Sequence, residues 1–301
     1  MASGSTTATV TIPAPTEAIE LSTLKTSRPS ISTPSSHHRN SDEERTTGDE
    51  PPEGATVFTR PDVSTVKLQL LAMNFATFLA GVNDASTGAL VPYLQPAYNI
   101  GLLFVALVYL FNFAGWTVAA FTNIHLTARI GTGGVMLLGS TLQMLAHALQ
   151  LWKPPFPLFV ITYFLAGVGI AYQDAQANSF VGGVNDAHRW LGVLHALYGV
   201  GALISPLMAT NIASRTPYWH YFYSILLGIA AVNVGIIAWA FRKSMGRGVA
   251  GAKETANKDF KRTVTNKTVL ILSAFFFLYV GAEVTAGGLL PILTQFEVEL
   301  T

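Results

Sequence analysis

Three carboxylates stand well inside apolar runs of this chain: Asp84, Asp174 and Glu283. An acid at lipid depth costs about 2.5–3.5 kcal/mol on insertion scales, so it needs a partner, a wet cavity or a proton. A carboxyl that can load and release a proton supplies what ion coupling requires. Around these acids lie groups suited to a polyhydroxylated solute: Asn83 beside Asp84, Asn112 and Trp116 one helical turn apart, Gln173 and Asn178, then His195 and Tyr198. Asp174 and Asn178 are i and i+4, which places them on one helix face. Each polar group also has a packing role open to it, a bond to a neighbouring helix, and His147 is read as structural. No nucleophile–base pair and no metal-ligand spacing appears, and the chain has no cysteine. Enzyme chemistry, a metal, a cofactor and disulfides are therefore not expected.

The elements that must position these groups are apolar runs. Half of the residues are hydrophobic, 12% are charged, and the mean hydropathy is +0.41; soluble domains carry about twice that charge. The expectation is an all-α polytopic membrane protein. Seven runs reach spanning length: about 66–92, 101–123, 133–151, 157–181, 191–212, 219–241 and 269–293. The domain division is a disordered cytoplasmic tail over 1–65, a six-helix bundle over 66–241, a basic cytoplasmic loop over 242–268, and a seventh helix with a short end over 269–301. The tail is rich in Ser, Thr, Pro and Glu and too poor in apolar residues to order itself.

Orientation follows from the loops. With the tail inside, the inner segments hold Arg60, Lys67, Arg129, Arg189, Arg242, Lys243, Arg247, Lys253, Lys258, Lys261, Arg262 and Lys267, and the outer loops only Lys153 and Arg215. That is a positive-inside bias with a cytoplasmic amino terminus. The expected site is an integral multi-pass protein, in the plasma membrane in preference to the vacuolar or another internal membrane. Its partners are the lipid bilayer, a small solute and protons, with no nucleic acid. The basic loop has two readings, a plain linker or a surface for anionic headgroups. Counting residues, Asp84 lies outward of its span's middle and Asp174 inward of its own, a depth difference of roughly 10 Å at 1.5 Å per residue.

An internal repeat supports this frame. Phe78–Pro92 aligns without a gap on Phe277–Pro291, placing Asp84 on Glu283 and Ser86 on Thr285. Six spans separate the copies, so both helices point the same way, as in a parallel repeat. The chain then ends eight residues after Leu293; a truncation after the seventh helix, with a missing second half as partner, is the expectation.

The string Gly167-Val168-Gly169, followed by Asp174-Ala175-Gln176-Ala177-Asn178, resembles the G-x-G and E-T-A-A-N segment of the fucose–proton symporter branch of the major facilitator superfamily. Asn83-Asp84 resembles that branch's first-helix Asn-Asp pair. The resemblance implies proton coupling and sugar binding for Asp84 and Asp174. Phe275–Thr285 resembles a string of fungal members of unknown substrate. Ala128-Arg129-Ile130-Gly131-Thr132 is similar to the family's D-R-x-G-R/K loop, without its acid and last base. Gly192, Gly201 and Ser205-Pro206 resemble the G-x8-G-x3-G-P motif of proton antiporters, whose physical content is close packing at the glycines and a hinge at the proline. The implied architecture is the six-helix amino-terminal half of a major facilitator plus the first helix of the second half. The implied function is symport of a sugar-like solute with protons by alternating access. The rivals are a proton-coupled drug or metabolite antiporter, and a non-transporting sensor or inactive half.

Overall fold

The computed structural model describes residues 63–245 and 252–299; the expected tail over 1–65 lies almost wholly outside them. The helices are α1 (Val63–Tyr98), α2 (Leu102–Leu151), α3 (Phe156–Gly182), α4 (Ala187–Arg215), a 3-10 turn Trp219–Tyr221, α5 (Phe222–Phe241), α6 (Ala252–Thr265) and α7 (Lys267–Glu299). Among the described residues, five helical stretches are long and apolar enough to cross a membrane: α1 to α4, and α5 with its 3-10 turn. The protein is therefore an all-helical polytopic membrane protein.

The expected second and third spans form one 50-residue run, α2, bent at Gly131. Gly131 holds φ 71° and ψ 169°, a backbone region that L side chains rarely enter. The chain reverses there. Thr122 bonds the Tyr172 hydroxyl at 2.6 Å, and Val135 packs in one cluster with Tyr172. On a straight helix Thr122 and Val135 would lie about 20 Å apart along the axis. So residues 102–130 and 132–151 run in opposite directions, and the expected polar joint between them shrinks to a single glycine.

Two apolar clusters mark the ends of the bundle. One joins Leu70 and Met73 of α1, Met136 of α2, Ala177 and Val181 of α3, Leu194 of α4, and Ile237 and Phe241 of α5. The other joins Leu90 and Leu94, Val108, Phe159 and Val160, Ala209 and Ala213, and Phe222 and Tyr223. The start of α1 thus sits with the end of α3, the start of α4 and the end of α5, as alternating passes require. Turn chemistry fits. After α1, Asn99 takes φ 52° and Ile100 N–H reaches back to Gln95 O at 3.1 Å, a left-handed helix closure that Asn tolerates. Pro155 caps α3 and Pro157 sits in its first turn, where a missing N–H costs nothing.

The segment expected as a basic loop, 242–268, contains α6. Ala256 is buried, and the Phe260 ring packs on Phe121 at 5.9 Å and His125 at 6.3 Å. Then α7 sets Phe277 against Phe113 of α2 at 6.4 Å. Its first half leaves Leu270, Ile271, Phe275 and Phe276 exposed.

Candidate functional site

Asp84 is held from two sides. On α1, Asn83 Nδ2 donates to Asp84 Oδ1 at 3.1 Å. From α4, the Tyr198 hydroxyl donates to Asp84 Oδ2 at 3.1 Å. This reach is possible because α1 and α4 touch backbone to backbone. A Cβ on Gly81 would collide with the Tyr198 carbonyl, and one on Gly201 would collide with the Phe78 carbonyl and lie 2.9 Å from Val82 N. Small residues permit such approach between membrane helices. Ser205 Oγ donates to Val82 O across the same seam. Pro206 follows within α4 and leaves the Ala202 carbonyl without its helical donor.

Asp174, on α3, lines a narrow crevice with Gln173, Ile170 and, across from them, Ala76, Thr77 and Ala80 of α1. The crevice is too narrow for a water-sized sphere, so a solute enters only if the helices part. Its level on α1 is one to two turns before Asp84, roughly 6–12 Å along the axis. Asn178 Nδ2 donates to Asp174 Oδ1 at 3.0 Å and to its carbonyl at 3.0 Å. His195 is exposed on α4, i and i+3 with Tyr198 and on the same face. That face of α4 addresses Asp84 through the Tyr198 hydroxyl.

Other expected residues are placed differently. Gln173 is 3% exposed and belongs to a chain of amides across three helices. It donates to Gln143 Oε1 of α2 at 2.9 Å and accepts from Asn233 Nδ2 of α5 at 2.7 Å. Its amide is thus engaged in joining helices. Asn112 lies against Gly167, its Oδ1 buried without a protein partner. Trp116 packs beside Val168, Ala171 and Tyr172. Arg129 is exposed two residues before the Gly131 bend. Gly192 does not pack as the motif reading expected: nothing lies within 4 Å of where its Cβ would be, because it faces away from α1. Glu283 lies on α7, and its side chain is outside the described residues. His147 is fully buried, bonded through Nδ1 to Gln150 at 2.9 Å and stacked on Tyr223.

Gln176, quoted only as part of the α3 string, donates to Asn123 Oδ1 at 2.8 Å and Thr127 Oγ1 at 2.7 Å. Gly81, Gln143 and Asn233 carried no role in the sequence; each is a lone polar or small residue in an apolar run.

Residues 73–301 match the Major Facilitator Superfamily. The chain is 26% identical over 251 residues to bypass of stop codon protein 6 of Saccharomyces cerevisiae, covering 75% of this chain and 50% of that protein. It is 22% identical over 224 residues to the glucose/mannose transporter GlcP of Bacillus subtilis, covering 71% and 55%. The chain thus spans about half the length of the curated relatives it matches. Its fold is similar to a crystal structure of a peptide transporter POT variant in complex with alafosfalin. There the TM-score is 0.51 and the identity 13%, covering 69% of this chain and 46% of that one. With three quarters of its length matched, alternating helical passes and acids held between them, the chain belongs to the major facilitator superfamily.

Proposed function

We propose that this chain forms part of a secondary transporter that moves a small polar solute of the sugar class together with protons. The observation that carries the reading is the Asp84 carboxylate held between α1 and α4 by the Asn83 amide and the Tyr198 hydroxyl, beside the Asp174-lined crevice between α1 and α3. A proton taken by Asp84 or Asp174, both half-buried, removes a charge at membrane depth, and with it the penalty that holds the bundle in one orientation. The narrow crevice between α1 and α3 then opens as the bundle rocks against its partner helices. Asn83, Asn178 and Tyr198 supply hydrogen bonds near the acids, and the similarity to the Bacillus glucose/mannose transporter favours a sugar. The cycle is that of the whole protein, of which the relatives' matched portions are about half.

A second reading, proton antiport of a drug or metabolite, is favoured by the tight Gly201–Ser205 seam before Pro206. Uptake of labelled hexoses, pentoses and polyols into cells producing the protein, at acid and neutral external pH, separates the readings. Sugar accumulation that rises with external acidity and collapses with a protonophore supports symport. Efflux of cationic dyes without sugar uptake supports antiport. A protein that moves neither, in both tests, is a sensor or an inactive half.

A further inference from the structure

The stretch expected to be a basic linker folds as α6, and its residues separate cleanly by face. Ala256 is buried and Phe260 docks on Phe121 and His125 of α2; these two are i and i+4. Lys258, Lys261 and Arg262 are i, i+3 and i+4, are all exposed, and lie on the opposite side of the helix. Glu254 and Asp259 also belong to α6, and with Lys253 the helix keeps a net positive charge. At the same end of the bundle, Arg242, Lys243 and Lys267 are exposed as well.

The depth of this face is set by α2. Residues 102–130 rise about 44 Å, against a hydrocarbon core of about 30 Å. The excess of about 14 Å, shared between the two ends, leaves about one turn before Gly131 outside the core. His125 lies about 9 Å and Phe121 about 15 Å before the bend, so Phe260 docks at the boundary between core and headgroups, where Phe121 and Val118 present an exposed apolar flank. An aromatic docked on that flank fixes a short helix at headgroup level, with three cations turned outward from the bundle.

We propose that α6 is a headgroup-binding helix, and that the Lys258, Lys261 and Arg262 face holds the phosphate and carboxylate of anionic lipids in the leaflet at this end of the bundle. The occupant follows from charge and depth together: a cationic face held at phosphate level meets a layer of fixed anions. The inference does not depend on the transport reading.

The test uses the whole chain in nanodiscs of phosphatidylcholine with a minority of phosphatidylserine. Photoactivatable phosphatidylserine and phosphatidylcholine probes are added in turn, and the labelled peptides are read by mass spectrometry. The expected result is preferential labelling of 252–267 by the serine probe, weakened by salt. In the Lys258→Gln, Lys261→Gln, Arg262→Gln triple variant the preference falls by about fivefold or more, since each surface cation contributes on that scale. A charge-keeping variant, Lys258→Arg, Lys261→Arg, Arg262→Lys, retains it. Equal labelling by the two probes, or an unchanged preference in the triple Gln variant, overturns the proposal. So does loss of preference in the charge-keeping variant.

Discussion

The two glycines of the α4 motif should respond to alanine with opposite signs. At Gly201 an added Cβ would lie 2.9 Å from Val82 N and 3.2 Å from Val82 Cγ2. Ordinary contact needs about 3.5 Å, so α1 and α4 must part by at least about 0.6 Å. Overpacking of that kind costs about 1–3 kcal/mol. The same displacement would stretch the Tyr198–Asp84 bond, now 3.1 Å, past the range of a useful hydrogen bond; bonds to charged groups contribute about 1.5–3 kcal/mol. Against this, Gly→Ala inside a helix gains about 0.5–1 kcal/mol. At Gly192 only the gain applies, because nothing lies within 4 Å. Gly201→Ala should therefore lose about 1.5–5.5 kcal/mol, and Gly192→Ala should gain up to about 1 kcal/mol. Thermal unfolding of the purified chain in detergent, followed by size-exclusion recovery, reads both, at roughly 2–4 °C per kcal/mol. If Gly201→Ala melts with or above Gly192→Ala, the backbone contact between α1 and α4 is not the seam described.

Gly131→Ala and Gly131→Asn should both lower the folded yield, by about 1–3 kcal/mol of backbone strain, because φ 71° with ψ 169° is a region essentially only glycine enters; detergent-solubilised recovery of the two variants checks it, and recovery of Gly131→Asn at the wild-type level would contradict it. Gln173→Leu leaves the Gln143 and Asn233 amides without their partner, at about 1–3 kcal/mol for each stranded group, so its melting temperature should fall further than that of Asp174→Asn. Tyr198→Phe removes the hydroxyl on Asp84 with little change in packing volume; it should lower stability by about 1.5–3 kcal/mol, the range for a bond to a charged group, and move the pH profile of uptake. An unchanged pH profile would remove Tyr198 from the handling of Asp84.

Much of the architecture was legible in the sequence, because lipid imposes one strong rule: apolar runs of spanning length with charge confined to the joints. The acids stood out for the same reason, since their cost inside such runs is large. The bend at Gly131 was less legible. Ala128–Thr132 was expected as a polar loop, whereas one residue in a left-handed conformation suffices to reverse the chain. The motif glycines 192 and 201 look alike as letters; only the facing of α4 on α1 separates the crowded one from the open one. The amide chain of Gln143, Gln173 and Asn233 joins three helices far apart in sequence, and pairing of that kind leaves no local pattern. The helical character of 252–265 was hidden by its charge, although its apolar positions 252, 256 and 260 repeat every four residues.

Asp84 and Asp174 are proposed to carry a proton for a polar solute. Sugar uptake into cells producing wild type, Asp84→Asn and Asp174→Asn, with external pH recorded together with label, tests it most directly. The account predicts alkalinisation with accumulation for wild type, and no accumulation against a gradient for either variant. Equal accumulation and equal proton uptake in wild type and both variants would contradict it.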